Sequence, residues 1–162
     1  MLTIDAILDG LLAREGGFVD HPADRGGRTA YGITERDHPD LWRPGPPTRE
    51  QARARYMAQY VQPFDLLADL GVDDRVRVAC IDDAVLSGVV TAVKTLQRAC
   101  DVSVDGLLGP ITVTAMLTLS PDQLLKQMVE DRVVRFARIC QSDPSQLVFL
   151  AGWIHRGFLF LP

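Results

Sequence analysis

Apolar positions recur at spacings of three and four in the first segment. Over residues 3–14, Ile4, Ile7, Leu8, Leu11 and Leu12 fall on one face, which predicts an amphipathic helix with Thr3 as its N-cap. Gly16 and Gly17 end it. Residues 18–34 change character, with Pro22, Gly26, Gly27 and Gly32 set among polar positions. Thr29 to Thr34 read as a short strand after a Gly-Gly turn, so a small β-hairpin, or a loop with strand character, is expected here. The proline-rich residues 39–47 form an irregular connector. Thr48-Arg49-Glu50-Gln51 is a capping box opening a helix to about Tyr60 that exposes Arg49, Arg53 and Arg55.

Helical patterns return at about 73–86, 89–100 and 110–118. Ser120-Pro121-Asp122-Gln123 caps a long helix over 121–140, whose inner face carries Leu124, Leu125, Met128, Val133 and Phe136. Residues 143–162 are apolar and aromatic, with Trp153, Phe158 and Phe160, and are expected to pack on the core. The pattern sums to a mainly α protein with one small β-hairpin near its N-terminus.

Composition narrows the functional classes. Apolar residues make up 47% and charged residues 23% of the 162 positions, the mix of a folded globular chain. No run of 18 uncharged apolar residues predicts a membrane span, so no stable membrane insertion is expected. The apolar stretch Leu2–Leu12 carries Asp5 and Asp9 and lacks a basic leader, so it reads as a helix and not a signal peptide. A net charge of −4 argues against a nucleic-acid partner. Cys80, Cys100 and Cys140 form no CxxC pair and no zinc-type cluster. They read as buried free thiols made in a reducing compartment, and no metal or cofactor is implied.

Candidate chemistry concentrates in Glu15 to Thr34, EGGFVDHPADRGGRTAYGIT. A carboxylate, Glu15, ends an apolar helix. A second, Asp24, follows in the Gly-rich loop, and a hydroxyl, Thr29, opens the strand. Glycoside hydrolysis uses one carboxylic acid to protonate the leaving oxygen and often a second group to hold the attacking water. The negative end of a helix dipole raises the pKa of a Glu placed there, and apolar neighbours such as Phe18 and Tyr31 raise it further. Asp24 also reads as an Asx-turn residue, and Thr29 as an ordinary strand residue. His21 is either a surface loop residue or a substrate contact. Tyr31 is either core or a sugar-stacking platform. Asp82 is either a buried paired carboxylate or a cleft residue. Asp105-Gly106 with Gly109-Pro110 reads first as a turn, and alternatively as a glycan contact.

The stretch resembles the signature of glycoside hydrolase family 108, the N-acetylmuramidase-like phage endolysins and secretion activator proteins. The residues that carry the resemblance are Glu15-Gly16-Gly17-Phe18, Pro22-Ala23-Asp24, Gly26-Gly27-Arg28-Thr29 and Gly32-Ile33-Thr34. The Glu15, Asp24 and Thr29 spacing is also similar to the Glu-Asp-Thr triad of phage-type lysozymes. Downstream, Tyr56 and Tyr60 to Pro63 are similar to a family segment in which Val61 replaces a Trp. Asp82 to Gly88 are similar to another in which Leu86 replaces an Asn. Residues Thr95–Arg98, Val104–Thr112, Gly152-Trp153 and Arg156 resemble a C-terminal region described as a predicted peptidoglycan-binding domain.

The resemblance implies an α+β, lysozyme-like fold with a catalytic lobe over 1–90 and a helical lobe over 91–162, packed as one compact unit. It implies a monomeric N-acetylmuramidase that cleaves the β-1,4 bond between N-acetylmuramic acid and N-acetylglucosamine. Glu15 would be the acid, with Asp24 and Thr29 placing water and Tyr31, His21 and Asp82 binding substrate. Competing readings are a lytic transglycosylase on the same bond and a non-catalytic wall-binding module. Action on the cell wall would follow release through a holin or similar pore. An inverting reaction is expected to hold the Glu15 and Asp24 carboxyls about 6.5–9.5 Å apart.

Overall fold

Helix capping sets the first element. Thr3 Oγ1 accepts from the Ala6 amide at 3.1 Å and opens α1 (Ile4–Glu15), whose Ile7, Leu8, Leu11 and Leu12 are buried as the periodicity predicts. The computed structural model describes residues 3–15, 17–19 and 28–161. The chain divides into two compact units, Thr3–Pro63 and one spanning Phe64–Pro162.

In the first unit, β1 (Phe18–Val19), β2 (Thr29–Ala30) and β3 (Ile33–Thr34) form an antiparallel sheet with β2 in the centre. Phe18 pairs with Ala30 and Ala30 with Ile33; Val19 pairs with Thr29 and Thr29 with Thr34. Residues 29–34 are thus a hairpin and not one strand. Its two turn residues, Tyr31 and Gly32, both take positive φ, 50° and 74°. That pair of angles defines the two-residue turn whose twist suits a hairpin. Ala30 and Ile33 point into the core, while Thr29 and Thr34 on the other face are half-buried.

The capping box at Thr48 forms as read: its hydroxyl accepts from the Gln51 amide, and the Gln51 side chain accepts from the Thr48 amide. It opens α2 (Arg49–Tyr56), which runs into a π-helical turn, Met57–Val61. Arg49 and Arg53, expected on a solvated face, cross to α1. Arg49 reaches Asp9 at 2.7 Å, and Arg53 bonds both Asp9 and Asp5.

The second unit is helical: α3 (Asp65–Asp69), α4 (Asp74–Ser87), α5 (Val89–Ala99), α6 (Pro110–Leu117), α7 (Pro121–Ser142) and α8 (Leu147–Phe158). Gly88, at φ 84°, separates α4 from α5. The sequence division places α4 in the first lobe; here it packs on α5 and α7 within the second unit. The capping box at Ser120 starts α7. On its inner face Arg132 is fully buried beside Leu125, Met128 and Phe136, whereas Val133 is only half-buried.

Buried Gln97 of α5 organises the Asp105–Leu107 turn. Its Nε2 donates to Asp105 Oδ1 at 2.6 Å and to the Leu107 carbonyl at 3.0 Å, and its Oε1 accepts from the Gly106 amide at 2.8 Å. The Gln97 bond, followed by the Leu107 amide, holds the Asp105 carboxyl below the usual carboxylate range.

Phe160 is buried and lies 5.8 Å from the Arg132 guanidinium. Trp153 lies tilted against Phe136 at 5.0 Å and stacks on Phe149 at 5.8 Å. Phe158, Leu159 and Leu161 stay exposed, so the expected packing of residues 143–162 rests on Trp153, Arg156, Gly157 and Phe160. All three cysteines are buried free thiols. Burial pushes the Cys100 thiol up to about 11 and Cys80 higher still. The fold is mainly α with a small antiparallel sheet. Among the described residues no helix is long and apolar enough to cross a membrane.

Candidate active site

Glu15 is the last residue of α1 and Thr29 the first of β2. The Glu15 side chain, His21, Asp24 and Gly26-Gly27 lie outside the described residues, and so does the expected carboxyl separation. What the structure gives is the frame on either side of them. Val19 and Thr29, which bracket the Asp24 segment, sit opposite each other in the sheet.

Arg28 fastens the return of the chain into β2. Its Nε and Nη2 donate to the two Glu35 carboxylate oxygens at 2.7 and 2.5 Å, and its carbonyl accepts from the Glu35 amide at 2.9 Å. A planar guanidinium matches a carboxylate in this two-point manner. The same guanidinium lies 5.4 Å over the ring of buried Trp42, which meets Phe18 of β1 at 6.2 Å. The Arg28 bonds hold the Glu35 carboxyl below its ordinary range. After β3, Thr34 Oγ1 donates to Asp37 Oδ2 at 2.7 Å. Asp37 is likewise held low, by the bond from Arg36 first and that from Thr34 second.

Tyr31 stands at the tip of the β2–β3 hairpin and is half-buried. Its carbonyl accepts from the Tyr56 hydroxyl at 2.5 Å, and the buried Tyr56 ring stacks on Tyr60 at 5.8 Å. Thr29 and Tyr31 are therefore brought onto one hairpin, two residues apart in sequence.

Asp82 is not a substrate contact in this arrangement. It is 0% exposed in the second unit, and both oxygens are taken: Oδ2 accepts from Arg132 at 2.9 Å and Oδ1 from Arg156 at 2.6 Å. Neighbouring Asp83 accepts from Arg135, which also bonds Ser87. Two carboxylates of α4 thus join α7 and α8, and burial of that ionic cluster removes Asp82 from any glycan's reach. Of the two departures from the family pattern, Val61 is buried and Leu86 half-buried.

Sequence reasoning passed over Glu35 and Trp42, and met Arg28 and Tyr56 only as motif positions, without the Glu35 partner of the one or the hairpin bond of the other. Their partners lie between 7 and 25 residues away along the chain for the Arg28–Glu35 and Tyr56–Tyr31 bonds, and no local pattern announces them. The one available signal was the Tyr56–Tyr60 spacing.

Residues 91–157 match the Predicted Peptidoglycan domain, and residues 8–88 match Glycosyl hydrolase 108. The family boundary near 88–91 and the division of compact units after Pro63 cut the chain differently. The solved structure of Brucella abortus SagA is similar, at 25% identity over 96% of this chain and 94% of that one, with a TM-score of 0.63. No curated protein matches the chain. Together the two family matches support a glycoside hydrolase of cell-wall peptidoglycan. Because the match over 8–88 spans half the sequence and contains Glu15, the Gly-rich segment and the β2–β3 hairpin, the chain belongs to the Glycosyl hydrolase 108 family.

Proposed function

We propose that the protein is an N-acetylmuramidase, hydrolysing the β-1,4 bond from N-acetylmuramic acid to N-acetylglucosamine in peptidoglycan. Glu15 acts as general acid, and Asp24 with Thr29 places the attacking water. The observation that carries this reading is the family match over 8–88, which holds the whole Glu15–Thr34 signature. The frame supports it: Glu15 closes a helix, Thr29 opens the central strand, and the Arg28–Glu35 fork fixes the residue just before Thr29. The peptidoglycan match over 91–157 supports the substrate class. Hydrolysis with Asp24 as base further predicts inversion at the anomeric carbon.

The test is turnover of purified peptidoglycan by wild type and Glu15→Gln, with mass spectrometry of the muropeptides released. Loss of the acid is expected to lower the rate by ~10²–10⁴-fold with the fold retained. Retention of more than a tenth of the activity removes Glu15 from the mechanism. Anhydro-terminated products replace hydrolysis by intramolecular transglycosylation on the same bond.

A further inference from the structure

We propose that Tyr56 is a positioning residue for glycan binding. Its hydroxyl, donated to the Tyr31 carbonyl, holds the strained Tyr31-Gly32 turn so that the Tyr31 ring serves as a platform for a pyranose ring of the strand. The inference rests on the muramidase reading above and names a binding contact within it.

Four observations lead here. Tyr31 has φ 50°, in the left-handed region that its turn demands. Gly, Asn and Asp are the residues that suit both central positions of such a turn, and a bulky aromatic there is an outlier. Backbone strain of this kind persists where the surroundings over-determine it, and it clusters at ligand clamps. Secondly, the restraint is visible: the Tyr56 hydroxyl, from α2, reaches the turn carbonyl at 2.5 Å. The ladder of β2 and β3 closes the turn through the Ala30–Ile33 pair, and the Tyr56 bond adds a restraint from another element at the tip itself.

Thirdly, the hydroxyl itself is fixed. Tyr56 is buried, its ring stacks on Tyr60, and it is the last α-helical residue before the π-helical turn Met57–Val61. Such turns are rare and frequent at functional sites. Fourthly, the tip follows directly on Thr29-Ala30, so any shift of the turn moves the Tyr31 ring relative to Thr29. A half-buried phenol ring offers an apolar face to the C–H face of a pyranose and a hydroxyl to its substituents.

The experiment is a double-mutant cycle of Tyr56→Phe and Tyr31→Asn, with kcat and KM measured on soluble uncross-linked peptidoglycan strands. Asn suits the left-handed turn but carries no ring. Tyr56→Phe keeps the buried ring and removes one hydrogen bond. It should raise KM about threefold to tenfold, with kcat within about twofold of wild type. In the Tyr31→Asn background the same change should leave KM within about twofold, because no ring remains to be positioned.

An equal KM effect in both backgrounds, or none in either, overturns the proposal. So does a fall in kcat at unchanged KM, which would place Tyr56 on the chemical step. If Tyr56→Phe does not fold, Tyr31→Asn alone decides: an unchanged KM overturns the platform, and a raised one supports it. Wild type inactive on peptidoglycan overturns the muramidase reading and this inference together. Wild-type turnover without coupling overturns this inference alone.

Discussion

Both units pair arginines with carboxylates across helices or strands at the surface, but among the described residues the second also buries such a cluster. In Thr3–Pro63 the pairs lie at the surface: Arg49 and Arg53 with Asp5 and Asp9, and Arg28 with Glu35. In Phe64–Pro162 Asp82 and Asp83 are 0% exposed and are bonded by Arg132, Arg135 and Arg156. Exposed pairs contribute up to about 1 kcal/mol and are screened by salt. Buried pairs have forfeited hydration, so removing one partner leaves a charge that neither water nor protein satisfies. The same side-chain chemistry therefore ties α1 to α2 and the two ends of the β2–β3 hairpin together in one unit and locks a helical stack in the other. The two ends of that lock, Asp82 and Arg156, are the residues of two separate family-like segments, and their bond gives both a structural reason to be there.

The largest effect should come from breaking the lock. Arg132→Met preserves bulk and apolar contact but strips Asp82 Oδ2 of its donor. Loss of one partner of a buried pair costs about 3–5 kcal/mol. In a chain of this size the melting temperature should fall by about 6–20 °C in scanning calorimetry. Arg53→Met in the other unit should move it far less, since its partners Asp5 and Asp9 are exposed. Equal shifts from the two variants would erase the contrast.

A middle-sized effect is expected where the second unit relies on backbone conformation. Gly106 has φ 82°, and a Cβ there would meet Val90 Cγ1 at 2.9 Å and Lys94 Cε at 3.2 Å. Gly106→Ala therefore adds left-handed strain to a steric shift of α5 side chains. Together they should cost about 1–3 kcal/mol, or about 2–12 °C in melting temperature. A neutral outcome would mean that the Gln97-held turn relaxes freely, contrary to the three bonds that Gln97 makes with it.

What the sequence made legible follows the reach of each interaction. The caps at Thr3, Thr48 and Ser120 are decided within three residues, and all three form. The inner face of α7 was read correctly at Leu124, Leu125, Met128 and Phe136 but not at Arg132. Periodicity ranks positions by hydropathy, and an arginine counts as surface until its carboxylate is known. Here that carboxylate lies 50 residues earlier. A hairpin was expected over this segment, but Thr29–Thr34 read as a single strand within it because Tyr31 carries no turn signal; the turn falls at Tyr31-Gly32, where Gly32 suits the left-handed position and the long-range Tyr56 bond adds a restraint. In the candidate site, the Glu15–Thr34 motif was legible as a pattern of residue types. The Arg28–Glu35 fork was not, since Glu35 lies just past the motif and its side chain turns back across the hairpin.

The smallest expected effect tests whether that fork behaves as a surface pair. Glu35 is held below its ordinary pKa chiefly by the hydrogen bonds from Arg28, so the folded state favours its ionised form. A lowered pKa contributes stability that is fully present above the unfolded value, about 4.3 for Glu. That contribution is lost as pH falls through the lower, folded value. Glu35→Gln keeps the shape and one acceptor but has no charge to lose. The melting-temperature difference between wild type and Glu35→Gln should therefore be small and constant from pH 7 down to about 5. It should close as the pH drops below about 4.3, where wild type becomes neutral too. Raising the ionic strength to about 1 M at pH 7 should shrink the same difference, because the Debye length falls to about 3 Å. A gap that persists unchanged at pH 2, or in high salt, would show that Glu35 acts through shape and the Trp42-backed packing of Arg28. The fork would then belong with the buried cluster of the other unit and not opposite it.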